Sequence, residues 1–240
     1  MTVKALAGLA IVALLSACGV STGPAPAPAP QQRPAAADAG RQLTANQAAR
    51  NFVQVVRRVE PVAERECRGR TRGVNCDFLI VVDDRRGQPA NAYQTLDKSG
   101  RPVIAFTLGL IADARNVDEM AFVMSHEAAH HIAGHLARQQ QNAVAGAVIA
   151  GSVAVLLGGG QADVENAQRT GAQLGARSYS KNFELEADAL GTVISARAGY
   201  NPVRGAQFFT RIPDPGDRFL GTHPPNAQRI AVVRRTAAGL

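Results

Sequence analysis

Four of the chain's five histidines fall within one short stretch, and this stretch constrains the fold more than any other. The sequence SHEAAHHIAGH, residues 125–135, contains the pattern H-E-x-x-H from His126 to His130. On an α-helix, residues four apart lie on one face, so the two imidazoles can bind a single metal ion. Glu127 would lie beside that ion without ligating it. The pattern carries this meaning only on a helix, so the sequence around it must form one.

The residues on either side of the motif predict such a helix. Asn116 has the character of an N-cap, and Glu119 stands at the third helical position, as in a capping box. From there to Arg138 the chain has no proline and only one glycine, Gly134. We therefore expect one long helix over residues 118–138.

On this helix the motif indicates zinc chemistry. Zinc accepts imidazole and carboxylate ligands and leaves a position open for water. Glu127 would act as the general base that takes a proton from the attacking water and returns it to the leaving amine. The alternative is two core-facing histidines beside a surface glutamate. His131 and His135 point to other faces of the helix and are expected to be surface or structural residues.

A third ligand would have to come from elsewhere, and the stretch ELEAD offers two candidates. Glu184 and Asp188 are four residues apart and share one helical face, whereas Glu186 is turned away from it. One of the two carboxylates would bind the metal, and the other would accept a hydrogen bond from a ligand histidine. The alternative is an acidic face exposed to solvent.

The N-terminal part of the chain has the features of an exported lipoprotein. Residues 1–17 are predicted to be a signal peptide, because their apolar run is too short to span a bilayer. Cys18 follows small residues, as in a lipobox, and would carry the lipid; Gly19 after it favours the outer membrane. The Pro- and Ala-rich remainder of residues 18–40 would be a semi-rigid tether. The folded domain is expected at 41–240.

Composition excludes one class of partner and suggests a disulfide. The net charge is +7, but the arginines are scattered and only 5% of residues are aromatic, which argues against nucleic acid binding. Lipidation of Cys18 leaves Cys67 and Cys76, and in an oxidising compartment this pair indicates a local disulfide. A redox or metal role for them lacks both C-x-x-C spacing and a nearby histidine.

The rest of the chain predicts further helices and a small sheet. Apolar spacing indicates a helix over 44–62, ending at Pro61, and a second helix over 182–198. Residues 77–84 indicate a buried strand. Two further strands, 91–96 and 101–110, flank a turn signature and suggest a hairpin. Together they predict a small antiparallel or mixed sheet.

One apolar segment, residues 143–160, has two interpretations. It is uncharged, but it is shorter than a usual membrane span and consists mostly of alanine and glycine. It could contact a bilayer, or it could form a helix that the protein covers or that caps the cleft.

These motifs in combination resemble a known family. H-E-x-x-H, then E-x-x-x-D, then His-Pro-Pro follow one another in the order typical of the HtpX and CaaX-prenyl-protease family of zinc metalloendopeptidases, over roughly residues 42–236. The layout is most similar to its soluble exported branch. The resemblance implies an α+β fold of the gluzincin type, mostly helical, with a small β-sheet beside the active-site helix.

The resemblance also implies roles for individual residues. His126, His130 and Glu184 would bind one Zn²⁺ per chain, Glu127 would be the general base, and Asp188 would support a ligand. His223, in the His-Pro-Pro turn, would lie near the open coordination position. There it could act as a latch that keeps the enzyme inactive, or it could donate a hydrogen bond to the oxyanion. The alternative is a helix-capping or surface histidine.

The expected function is therefore a lipid-anchored periplasmic zinc endopeptidase that cleaves unfolded or misassembled envelope proteins. An extended substrate could pair with the edge of the sheet that contains residues 101–108. The alternative is a zinc-containing chaperone or assembly factor for outer-membrane proteins, with little or no proteolysis. The outer-membrane assembly machinery is an expected partner in either case.

Overall fold

The computed structural model of the protein describes residues 42–178, 180–216 and 223–240. The predicted signal peptide, Cys18 and the tether lie outside the described residues. Within them the elements follow in the order α1 (Ala45–Arg70), β1 (Leu79–Asp83), β2 (Ala92–Leu96), β3 (Pro102–Thr107), α2 (Leu108–Asp113), α3 (Val117–Ile132), α4 (His135–Leu156), α5 (Gln161–Arg177), α6 (Ser180–Arg197), α7 (Pro202–Gly205), a 3-10 turn (Ala206–Thr210) and α8 (Asn226–Ala238). The predicted α+β class, mostly helical with a small sheet, is confirmed.

The first helix is longer than predicted. Thr44 caps α1 in a capping box with Gln47, but the helix continues through Pro61 to Arg70. A proline inside a helix removes one hydrogen bond and costs roughly 3 kcal/mol. Beyond it, Val62, Ala63 and Cys67 extend the buried face of the helix, and their burial offsets that cost.

Cys67 lies near the end of α1 and is joined to Cys76 by a disulfide bond, with 5.7 Å between the two Cα atoms. Both cysteines are buried. The bond fixes the path of the chain from α1 into β1.

The three strands form a mixed sheet in the order β1-β3-β2, with β1 parallel and β2 antiparallel to β3. β3 is the central strand, and Ile104 to Thr107 are buried. The strand predicted over 77–84 is present as β1, but the prediction that it is buried was wrong. Among the described strands, β1 has a neighbour on one side only, and its residues are half-buried or exposed. The predicted turn between β2 and β3 is present, with Asp97 accepting from the backbone N–H of Ser99 and Arg101.

The motif helix α3 is the centre of the core. The Asn116 side chain accepts from the N–H of Glu119, as predicted for its N-cap. The buried Glu119 carboxylate forms two bonds with Arg211, at 2.6 and 2.8 Å. This ion pair ties the segment after the 3-10 turn to the start of α3 and so places one wall of the cavity described below.

The predicted single helix over 118–138 is interrupted. α3 ends at Ile132, and α4 begins at His135. Gly134 between them adopts a φ of +67°, a left-handed conformation that glycine tolerates and that ends an α-helix. The direction of the chain therefore changes between the last two histidines of the motif stretch.

The uncharged segment 143–160 lies mainly in α4, which packs along α5, a helix that the sequence patterns did not predict. The outward face of α4 is apolar and exposed, as at Val148 and Ile149. None of the helices in the described ranges is both long and apolar enough to cross a membrane.

Candidate metal centre

Three side chains from two helices meet at one point. His126 and His130 lie one turn apart on α3, and their Nε2 atoms are 3.0 Å apart. Glu184 reaches them from α6, with Oε1 3.3 Å from His130 Nε2 and Oε2 3.6 Å from His126 Nε2. These are the three residues whose ligand atoms form a candidate metal cluster among the described residues.

The close packing of α6 on α3 makes this meeting possible. At Gly191 of α6, a Cβ atom would lie 3.0 Å from both the Cα and the backbone nitrogen of His126, which is tighter than ordinary contact. A larger residue would push α6 away from the motif helix. Glycine at this position therefore allows the carboxylates of α6 to reach the imidazoles of α3.

The spacing and chemistry of this donor set fit a zinc ion. Ligand atoms at zinc bond lengths in a tetrahedral arrangement are about 3.3 Å apart. The two Nε2 atoms are 3.0 Å apart, and each lies close to a different oxygen of Glu184, at 3.3 Å for His130 and 3.6 Å for His126, so all of these distances are near that value. Burial opposes the ionisation of Glu184, yet hydrogen bonds from His126 and His130 hold its pKa well below the ordinary value.

The electrostatic environment also favours a cation. Burial alone would lower the pKa of His126, but the Asp188 and Glu184 carboxylates raise it to about 10. The negative charge that stabilises a proton on this imidazole would equally stabilise a metal cation at the same position.

Asp188 contacts the first histidine of the cluster. Its side chain is fully buried, and Oδ1 lies 3.0 Å from His126 Nδ1. Because a carboxylate accepts, His126 donates its Nδ1–H to Asp188, and Nε2 is therefore the atom that would bind a metal in place of a proton. This is the position that the sequence analysis gave to one carboxylate of the ELEAD stretch.

Arg229 lies on α8 and was not among the residues predicted for the site. Its Nε and Nη2 atoms each lie 2.7 Å from an oxygen of Asp188, and Nη2 is 3.3 Å from Glu184 Oε2. The guanidinium stacks 3.9 Å from the centroid of the Phe209 ring. Arg229 thereby compensates the buried charge of both carboxylates. A weak signal existed in the sequence, since Arg229 stands four residues before the buried Val233 on the same helical face.

His135 was predicted to lie on another face of the motif helix as a surface or structural residue, but it begins α4 instead. It is buried, and its Nδ1 lies 2.8 Å from His130 Nδ1. Its Nε2 lies 3.1 Å from Glu186 Oε2, so Glu186 also takes part in the surroundings of the site. Burial lowers the pKa of His135 to about 4. His131 lies apart from the cluster, with Nε2 2.8 Å from the carbonyl oxygen of Asn75.

The cluster forms part of the wall of a cavity of about 620 Å³. Glu127 and His223 line the same cavity, and His223 Nε2 lies 3.9 Å from Glu184 Oε2. The His223 side chain is about half exposed. Ala92 to Gln94 of β2 also line this cavity, so an edge strand of the sheet lies at the site.

Comparison with known proteins agrees with this geometry. The model of peptidase family M48 matches residues 49–237, and the chain therefore belongs to that family. The predicted family resemblance and the predicted class of enzyme, a metalloendopeptidase, are confirmed.

Several curated relatives match part of the chain. A putative beta-barrel assembly-enhancing protease of Vibrio cholerae is 33% identical over 148 residues, which is 56% of this chain and 30% of the relative. The beta-barrel assembly-enhancing proteases of Yersinia pestis and Escherichia coli O157:H7 are 30% and 33% identical, each over 51% of this chain and 28% of their own length. The chain therefore matches less than a third of the length of these relatives.

Proposed function

We propose that this protein is a zinc-dependent endopeptidase of the bacterial cell envelope that hydrolyses unfolded or misassembled envelope proteins. The observation that carries the proposal is the convergence of His126, His130 and Glu184 on one point of a cavity that Glu127 also lines. The names of the relatives, proteases that enhance β-barrel assembly, support the choice of substrates.

The residues of the cluster would hold the metal, and Glu127 would move the proton. Zinc bound by His126, His130 and Glu184 would lower the pKa of water and polarise a peptide carbonyl. The Glu127 carboxylate would accept a proton from the attacking water as the carbon–oxygen bond forms. It would then deliver that proton to the nitrogen of the leaving amine as the carbon–nitrogen bond breaks.

The function is tested with the full chain and an unfolded substrate. The purified protein should contain one zinc per chain and cleave casein. Removal of the metal by a chelator should abolish cleavage, and added zinc should restore it. Cleavage that survives complete removal of metal would contradict the proposal.

The edge strand β2 would bind the substrate backbone. β3 is paired on both sides, so the free edge of this sheet toward the cavity belongs to β2. Thr107 donates its N–H to the carbonyl of Asn91, and because pairing alternates, the backbone groups of Ala92 and Gln94 point away from β3. These groups can pair with an extended peptide of any sequence, which suits unfolded substrates.

Replacing Gln94 by proline should therefore weaken cleavage. The substitution removes one outward N–H and leaves the ladder to β3 intact. One backbone hydrogen bond contributes about 0.5–1.5 kcal/mol, so kcat/KM for casein should fall by roughly 2- to 10-fold. Gln94→Ala keeps the N–H and should resemble the wild type. Equal rates for the proline and alanine variants would exclude this edge.

His223 would act as the latch of the site. Its imidazole, held by the rigid turn of Pro224 and Pro225, lies beside Glu184, where it would take the open coordination position and displace water. We therefore expect His223→Ala to raise basal casein cleavage without loss of zinc. A fall in kcat with zinc retained would instead identify His223 as a hydrogen-bond donor to the oxyanion.

The lipid anchor is tested separately. Cys18 lies outside the described residues, and its lipidation after removal of residues 1–17 remains a proposal from the sequence, as does the division into a tether at 18–40 and a peptidase domain at 41–240. Cys18→Ser should move the protein from the membrane fraction to the soluble fraction of the envelope. Retention of this variant in carbonate-washed membranes would show that another segment, such as 143–160, holds it there.

A further inference from the structure

The two histidines of the cluster, His126 and His130, are held in place by different groups. His126 donates to the Asp188 carboxylate, whereas His130 has another imidazole at its Nδ1 atom, that of His135, at 2.8 Å. The far nitrogen of His135 lies 3.1 Å from Glu186 Oε2. The contacts thus run from His130 through His135 to Glu186.

The chemistry of these groups fixes the direction of the hydrogen bonds. An ionised carboxylate can only accept, so Nε2 of His135 carries the proton that faces Glu186. In the neutral ring, Nδ1 of His135 is then the acceptor. His130 must donate its Nδ1–H to it, so Nε2 of His130, on the side of Glu184, is the atom whose lone pair would bind a metal.

The surrounding residues hold the His135 ring in this orientation. The left-handed turn at Gly134 brings His135 back toward His130, which an unbroken helix would not do. The His135 ring stacks on Phe183, with 4.7 Å between the ring centroids and 13° between the planes. Arg138 covers the same Phe183 ring and lies 2.9 Å from Glu186 Oε2.

We propose that His135 is a positioning residue for the metal, which accepts the Nδ1–H of His130 and is itself held by Glu186. It is not one of the three residues of the cluster, and its role would be to fix the tautomer and the ring angle of a ligand. The inference rests on the proposed function in one respect, because it requires that His130 binds the metal.

Two substitutions distinguish the effect of the hydrogen-bond acceptor of His135 from the effect of the shape of its side chain. His135→Phe keeps an aromatic ring that can stack on Phe183 but has no acceptor for His130. His135→Asn places an oxygen close to the former position of Nδ1. Loss of a residue that supports a metal ligand typically costs about 10- to 100-fold in metal affinity. We expect a loss of that size in zinc affinity for His135→Phe, measured by competition with a chelator, and near-wild-type affinity for His135→Asn.

A second readout reports the geometry of the site. The visible absorption of the cobalt(II)-substituted protein depends on how the ligands are arranged. It should change in His135→Phe and return toward the wild-type spectrum in His135→Asn. Circular dichroism and thermal unfolding of the metal-free proteins establish that both variants are folded.

Glu186 lies at the exposed end of the series of contacts from His130 through His135, so a substitution there carries little risk to folding. Glu186, whose side chain is half exposed, can be changed to alanine, which removes the acceptor for His135, or to glutamine, which keeps an acceptor oxygen. Zinc affinity should fall by several-fold in Glu186→Ala and remain near the wild-type value in Glu186→Gln.

Two results would overturn the inference. In one, His135→Phe binds zinc as tightly as the wild type and has an unchanged cobalt spectrum. In the other, His135→Asn loses as much affinity as His135→Phe, so that the acceptor has no importance. In both cases the wild type still binds zinc. A wild type that binds none would instead refute the proposed function, and this inference with it.

Discussion

Replacing Glu127 by glutamine is expected to abolish casein cleavage while the protein keeps a full equivalent of zinc. Glutamine has nearly the same shape but cannot accept a proton from the attacking water. General base catalysis contributes about 10²- to 10⁴-fold, so kcat should fall by at least two orders of magnitude. Zinc content should not change, because the three proposed ligands remain in place.

This variant also separates the enzyme from a chaperone with a structural zinc. A structural site has no need of a base, so a chaperone function would persist unchanged in Glu127→Gln. Full proteolytic activity in the variant would show that Glu127 is not the base. Loss of zinc together with activity would show that Glu127 supports the metal instead.

The second large effect is expected at Glu184. Glu184→Ala removes one of the three ligand side chains and leaves Arg229 beside the two histidines without this carboxylate. Zinc content after dialysis should fall well below one equivalent, and casein cleavage should fall to background.

Glu186→Ala is the matched control, since the two glutamates lie two residues apart on α6. Glu186 is bonded to His135 and Arg138 and does not belong to the cluster. Its variant should keep stoichiometric zinc when the metal is saturating, with only the reduced affinity described above. The reverse pattern, with zinc lost from Glu186→Ala and kept by Glu184→Ala, would show that Glu186 is the ligand.

The parts of the site that the sequence could predict depend on local periodicity. His126 and His130 lie one turn apart on a helix whose N-cap at Asn116 is also readable from the sequence. Glu184 and Asp188 share a face of α6 for the same reason. When α3 and α6 pack against each other, the polar groups on these two faces are buried together, and this favours a common site.

The residues that the sequence could not place act through contacts between distant segments. Arg229 reaches Asp188 over 41 residues, and Glu186 reaches His135 over 51 residues. No spacing pattern reports such contacts. His135 was misplaced for a local reason: an uninterrupted helix was extended through Gly134, and a glycine in a helical pattern can either continue the helix or end it.

The same limit applies to the fold. Alternating residues predict strands but not their order, so the central place of β3 and the exposed edge of β2 were not readable. Pro61 suggested a helix end, yet the buried face of α1 continues beyond it to Cys67. In both cases tertiary packing decided between local alternatives.

The central claim is that α3 and α6 together hold one catalytic zinc, and anomalous diffraction at the zinc absorption edge tests it most directly. Crystals of the zinc-loaded protein should show one strong anomalous peak per chain. It should lie about 2.0–2.2 Å from His126 Nε2, His130 Nε2 and a carboxylate oxygen of Glu184. A peak at another group of residues, such as His131 and its neighbours, or no peak in fully zinc-loaded protein, would contradict the claim.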